Sequence, residues 1–216
     1  AKMQIPGGHT EVTAVVNQPV VNVAGVAKAK KGSLISTAGA RAGMDIVVSK
    51  WVGIEGTMIF AKEKEAELKE HFPADFVDTA IGFDRYLSVV PEAAVATQSS
   101  VAAMHDVTEG GLFGALWEMA EASGVGLEID LKKIPIRQET VEICEYFDVN
   151  PYGLISSGMM LMASADGNAL VLALQEAGIP ATVIGKATEG NDRVIIRDEE
   201  RRFLEPPKTD ELYKVL

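Results

Sequence analysis

A chain of 216 residues, 47% of them hydrophobic, is long enough to bury a sizeable core and too apolar for intrinsic disorder. Its 31 acidic against 20 basic residues give a net charge of −11, which argues against a nucleic-acid partner, for which a basic face is expected. No apolar run is long enough to cross a bilayer and nothing at the start resembles a signal peptide, so no membrane partner and a cytoplasmic location are expected.

The chain opens Ala1-Lys2-Met3, without an initiator Met. Pro6-Gly7-Gly8-His9-Thr10-Glu11 reads as a loop, and the Val-rich residues 19–28 read as a long strand. A lone strand has no partner of its own, so the first 31 residues are expected to belong to something larger. The boundary falls at the cluster Lys28, Lys30, Lys31, Gly32, giving units 1–31 and 32–216.

Beyond it helices and strands alternate. Asp45 to Trp51 is a predicted strand, and Ile54 to His71 a helix whose charged second half is a solvated face. A helical region follows between Asp75 and Ala96, broken near Pro91. Then come a strand at 101–105, a helix at 110–123, a strand at 126–131 and a helix at 138–147. Cys144, the sole cysteine, lies inside that last helix and is expected to be a buried thiol. Met159 to Ser164 is an apolar strand, and Asp166 caps the helix that Gly178 and Pro180 end. A strand at 181–186, a hairpin over 193–204, the stop Glu205-Pro206-Pro207 and a short helix at 210–215 complete the chain. The class is α/β or α+β, with a mixed β-sheet covered by helices.

The stretch Met104-His105-Asp106-Val107-Thr108-Glu109-Gly110-Gly111-Leu112 is the most informative. A strand ends, a polar turn follows, and two glycines open a helix with Leu112, Leu116 and Met119 on one face. Glycines inside a helix start cost about 1 kcal/mol each. What they offer is access: without a Cβ, a ligand can approach the amides of the first turn, which with the helix dipole form an anion site. The alternative is a capped helix, with Asp106 or Thr108 as the cap, whose glycines serve strand–helix packing. His105 could act as a general base or be a structural histidine at a strand end. Its separation from His9, with no ligand-spaced third partner, excludes a metal site. Ser157 and Gly158, before the Met-rich strand, either line a pocket or form a plain turn. Gly53 and Gly56 around Glu55 form either a turn near a ligand cleft or a helix start with small residues.

The run from Asp106 to Leu161, with Asp-Val-Thr-Glu-Gly-Gly-Leu, Glu121-Ala122-Ser123-Gly124-Val125, Ile134-Pro135-Ile136 and Gly158-Met159-Met160-Leu161, is similar to the carboxy-terminal domain of the AIR-synthase-related superfamily. That family includes aminoimidazole ribonucleotide synthetase, selenophosphate synthetase, thiamine-monophosphate kinase and the hydrogenase maturation carbamoyl dehydratase, which this stretch resembles most. At the other end, Gly7-Gly8-His9-Thr10 resembles the glycine–glycine–acid–Thr turn that closes the family's nucleotide-binding domain.

The resemblance implies the carboxy-terminal part of an ATP-dependent enzyme. Its turn Asp106, Thr108, Glu109, Gly110, Gly111, with Ser157 and Gly158, would hold a phosphate-bearing or carbonyl-bearing small molecule. ATP and Mg2+ would belong to the full-length parent, with neither held tightly by these residues alone. Strand 19–28 would join a homodimer. Two departures are evident: His9 stands where the family has an acid, and the chain ends Leu212-Tyr213-Lys214-Val215-Leu216, without the dehydratase's cysteine. A non-catalytic binding or assembly module is the alternative.

Overall fold

The computed structural model describes residues 3–206 and 208–216. Ala1, Lys2 and Pro207, the last residue of the expected stop, lie outside them. Two units are distinguished, one ending at Leu34 and one running from Ile35 to Leu216.

In the first unit, residues 3–34 contain turns and no helix or strand. The strand expected over 19–28 is absent. A strand exists through its ladder of hydrogen bonds, and these residues find no partner backbone. Their β-branched side chains are exposed, Val26 to 97%.

The second unit is built on one seven-stranded sheet in the order β2-β4-β1-β5-β3-β6-β7. Its strands are β1 (Asp45–Ser49), β2 (Val101–Val107), β3 (Gly126–Asp130), β4 (Met159–Ser164), β5 (Ala181–Thr188), β6 (Arg193–Arg197) and β7 (Glu200–Phe203). All neighbours are antiparallel except β3 and β6, so the sheet is mixed, as the alternation of elements implied.

Strand alternation assigns the two faces. Ile46 and Val48 of β1 and Leu161 and Ala163 of β4 pack toward α5 (Gly111–Ser123), whose Leu112, Leu116 and Met119 complete that core. Val47, Met160 and Met162 point the other way, onto Leu170 and Leu174 of α7 (Gly167–Glu176) and Ala96 of α4 (Val90–Ala96). With both faces covered, β4 is buried throughout. α7 begins where Asp166 accepts from the Ala169 amide at 3.0 Å, the expected cap.

A third cluster joins α1 (Ile54–Glu63), α2 (Glu65–His71), α3 (Ala74–Ile81) and α6 (Gln138–Tyr146) around Phe60, Val77 and Ile143. The single helix expected over 54–71 is thus two, broken at Lys64 with φ −114° and ψ 27°. No glycine or proline marks the break. β1 also stops earlier than expected, because Lys50 adopts a left-handed backbone, φ 53°.

Candidate functional site

α5 starts with Gly110 at φ 83° and Gly111 at φ 61°, both left-handed, a turn that side-chain-bearing residues resist. Neither Asp106 nor Thr108 caps the helix. Gly110 itself stands at the N-cap position, without a side-chain cap. Gly111 has a packing role: a Cβ there would lie 2.6 Å from the Tyr152 carbonyl oxygen and 2.7 Å from that of Leu154.

The anion at this helix start comes from the chain itself. The Gly110 amide donates to Asp210 Oδ2 at 2.6 Å, while Asp210 Oδ1 accepts from the amides of Leu212 at 2.8 Å and Ile155 at 3.2 Å. Asp210 is 2% exposed. The Gly111 amide donates to the Thr108 carbonyl at 3.0 Å. Among the described residues the next two amides, of Leu112 and Phe113, have no acceptor. Asp106, Thr108 and Glu109 are exposed.

The second candidate segment lies at the same end of the sheet. Val107, at the end of β2, stands opposite Met159, at the start of β4, so the turns before and after them are neighbours. Asp210 ties them further, binding Gly110 on one side and Ile155 on the other. Gly158 sits at φ 107°, where a Cβ would meet the Tyr86 carbonyl oxygen at 2.4 Å. Its own carbonyl accepts from Lys50 Nζ at 2.7 Å. Ser157 is partly exposed, while buried Ser156 accepts from the Gly53 amide at 2.7 Å and donates to Leu154 O at 2.8 Å. Gly53 and Gly56 are close-packed, against Thr140 and Leu154 respectively.

Lys50 carries no signal in the sequence, yet it organises this corner. Besides Gly158 it donates to the carbonyls of Tyr86 and Ser88, both at 2.8 Å, and it pairs with Glu92 at 2.8 Å. The Glu92 side chain is fully buried, and among the described residues its Oε2 has no partner.

His105 and Asp106 do not act together, since consecutive strand residues project to opposite faces. His105 turns toward α5, with Nε2 2.7 Å from Glu118 Oε2 and Nδ1 3.0 Å from Thr37 Oγ1. Both ring nitrogens are therefore engaged. Gly7, Gly8, His9 and Thr10 are exposed in the first unit, where His9 Nε2 lies 3.9 Å from Glu11 Oε2. Among the described residues no group of three or more His, Cys, Asp or Glu side chains could hold a metal ion. No described helix is long and apolar enough to cross a membrane.

The family model for the AIR synthase related protein C-terminal domain matches residues 41–198, most of the chain. The chain belongs to that family. It is 29% identical over its full length to a Methanocaldococcus jannaschii protein named for hydrogenase expression/formation, covering 63% of that protein. Carbamoyl dehydratase HypE of Cupriavidus necator is 30% identical over 78% of this chain and 47% of its own length. Among solved structures, E. coli HypE superposes with a TM-score of 0.67 at 21% identity, covering 83% of this chain and 54% of that one. A HypE crystallised in complex with ATP gives 0.63 at 20% identity, over 82% and 55%. The chain thus spans between about half and three-fifths of the length of these relatives.

Proposed function

We propose that this chain is the carboxy-terminal part of an ATP-dependent enzyme and presents an amide-like or acid oxygen of a small molecule for phosphorylation. One observation carries this reading. The turns 106–111 and 156–158 stand together at one end of β2 and β4, beside two amides without acceptors at the start of a 13-residue helix. Those amides, of Leu112 and Phe113, would hold an anionic group of the substrate, backed by the helix dipole. Thr108 would donate its hydroxyl, and exposed Glu109 would stay turned to solvent. Ser157 would line the pocket, with Gly158 fixed by Lys50. His105 is assigned a positioning role, because its hydrogen bonds leave no nitrogen free for a substrate proton.

The name of the ATP-bound relative supports nucleotide use by the family. ATP, when bound, would supply the phosphoryl group, held by residues of a longer protein. The described side chains do not fit a magnesium site, so no step is assigned to one. Exposed Val20, Val21, Val23 and Val26 support pairing of residues 19–28 with a second copy. Sedimentation of the chain with and without residues 1–31 tests it: a monomer in both refutes that pairing.

A second reading, a binding or assembly module without turnover, is favoured by Asp210, which already occupies the Gly110 amide. Titration of the isotope-labelled chain with inorganic phosphate separates the two. Saturable shifts of the Leu112 and Phe113 amides, weakened severalfold in Thr108→Val, are expected from the enzyme reading. Silence at both amides supports the module.

A further inference from the structure

A cavity of about 280 Å³ opens beside the start of α5, and most of its lining lies outside the turn proposed for phosphate. Phe113 and Gly114 of α5 form one wall, and buried Ile195 and Leu204 contribute apolar surface. Phe113 is held flat, its ring stacked on Tyr152 with centroids 5.2 Å apart and planes 17° apart. The Arg202 guanidinium carbon lies over the Phe113 ring, 5.8 Å from its centroid.

The charges of the lining leave one cation over. Lys208 pairs with Glu205 at 2.6 Å, and Glu211 is engaged by Lys214 at 2.7 Å. Neighbouring Arg201 pairs with Glu128 at 2.8 Å, whereas Arg202 makes no ion pair among the described residues. The Gly110 amide at the cavity edge is taken by Asp210 and is not open to a ligand.

We propose that this cavity binds a small planar monoanion, of the aromatic or heteroaromatic carboxylate class, with its ring on Phe113 and its charge on Arg202. A flat apolar wall suits an aromatic face, and an offset stack on a ring already fixed by Tyr152 needs only that the exposed Arg202 side chain swing from over the ring toward the ligand's carboxylate. Arginine's planar fork matches a carboxylate. The volume is at the small end for ligand pockets, about 300 Å³ upward, which suits a single ring with its headgroup. With Glu205 and Glu211 each paired to a lysine, the one cation left over matches a single negative charge on the ligand. The cavity shares Gly110 and Phe113 with the turn proposed for phosphate, and Arg202, which lies outside that turn, distinguishes the two sites.

The test is a titration of the isotope-labelled full chain with benzoate, followed at the amides of Gly110, Gly114 and Gly153. Cyclohexanecarboxylate serves as the non-planar acid, benzyl alcohol as the uncharged ring and phenyl phosphate as the dianion. Saturable shifts with benzoate are expected, together with weaker binding of all three controls. Arg202→Gln, on an exposed strand, should keep the rest of the spectrum and bind benzoate about tenfold more weakly. Phe113→Leu should abolish the preference for benzoate over cyclohexanecarboxylate. The proposal is overturned if benzoate produces no saturable shifts, if Arg202→Gln binds it equally well, or if phenyl phosphate, followed at the Gly114 and Gly153 amides outside the phosphate turn, binds more tightly than benzoate.

Discussion

Asp210 survives at 2% exposure because three backbone N–H groups converge on its carboxylate. Hydrogen bonds to a charged group contribute about 1.5–3 kcal/mol, and unmaking them leaves buried donors orphaned. Asp210→Ala should therefore lower the unfolding free energy by roughly 2–3 kcal/mol in urea titrations. Asp210→Asn, which keeps an acceptor oxygen, should lose less. A loss within the ordinary surface range of about 0.5 kcal/mol would show that the tail is not pinned through this residue. Cys144 supplies a pH prediction. Burial pushes its thiol up to about 12 from an ordinary 9.0, with Glu211 adding to the effect. The folded state then holds a proton that the unfolded chain releases. The associated stability is present below pH 9 and is lost as pH rises toward 12, with a slope near 1.4 kcal/mol per pH unit. Stability curves of Cys144→Ala should lack that fraction of the alkaline decline, and parallel curves for the two proteins would refute it.

At the scale of elements, Lys50 and Glu92 connect the end of β1 to α4 and to the turn before β4. Removing one partner of a buried pair strands the other charge, at about 3–5 kcal/mol, while replacing both with apolar residues is often close to neutral. Lys50→Met and Glu92→Leu should each destabilise strongly, and the double variant should recover only part of the loss, because the carbonyls of Tyr86, Ser88 and Gly158 stay without their donor. Additive losses in that cycle would mean the pair is not coupled. Elements with a strong period were legible in the sequence: β4 through its apolar run, α5 through Leu112, Leu116 and Met119, and α7 through its Asp166 cap. The break at Lys64 was not, because no helix breaker accompanies it. The site was legible only as far as its local turn. Two left-handed glycines announce themselves, but Asp210 bonds to Gly110 across 100 residues and Thr37 to His105 across 68. Such pairings follow from the folded topology, and no periodicity encodes them. Residues 19–28 show the converse: β-branched composition marks a capacity for strand, and only a partner backbone realises it.

The molecule as a whole places every core cluster within the unit that starts at Ile35. Residues 32–216, produced alone, should therefore melt cooperatively within about 2 °C of the full chain, no more than a change of about 1 kcal/mol produces in a domain of this size. A larger drop in calorimetry would show that residues 1–31 contribute to folding. The sheet also has two ends, and the chain treats them differently. At β2 the Met104 amide donates to the Ser36 carbonyl at 3.2 Å, so a neighbouring segment shields that rim. At β7 the rim carries Glu200, Arg201 and Arg202, all exposed. An uncovered strand is a template for adding further strands without limit, and like charges brought into register along it oppose that growth. The same arginine assigned to the cavity thus also helps keep separate molecules apart in solution. Any variant that neutralises Arg201 and Arg202 together trades that repulsion for a rim on which fibrils can start.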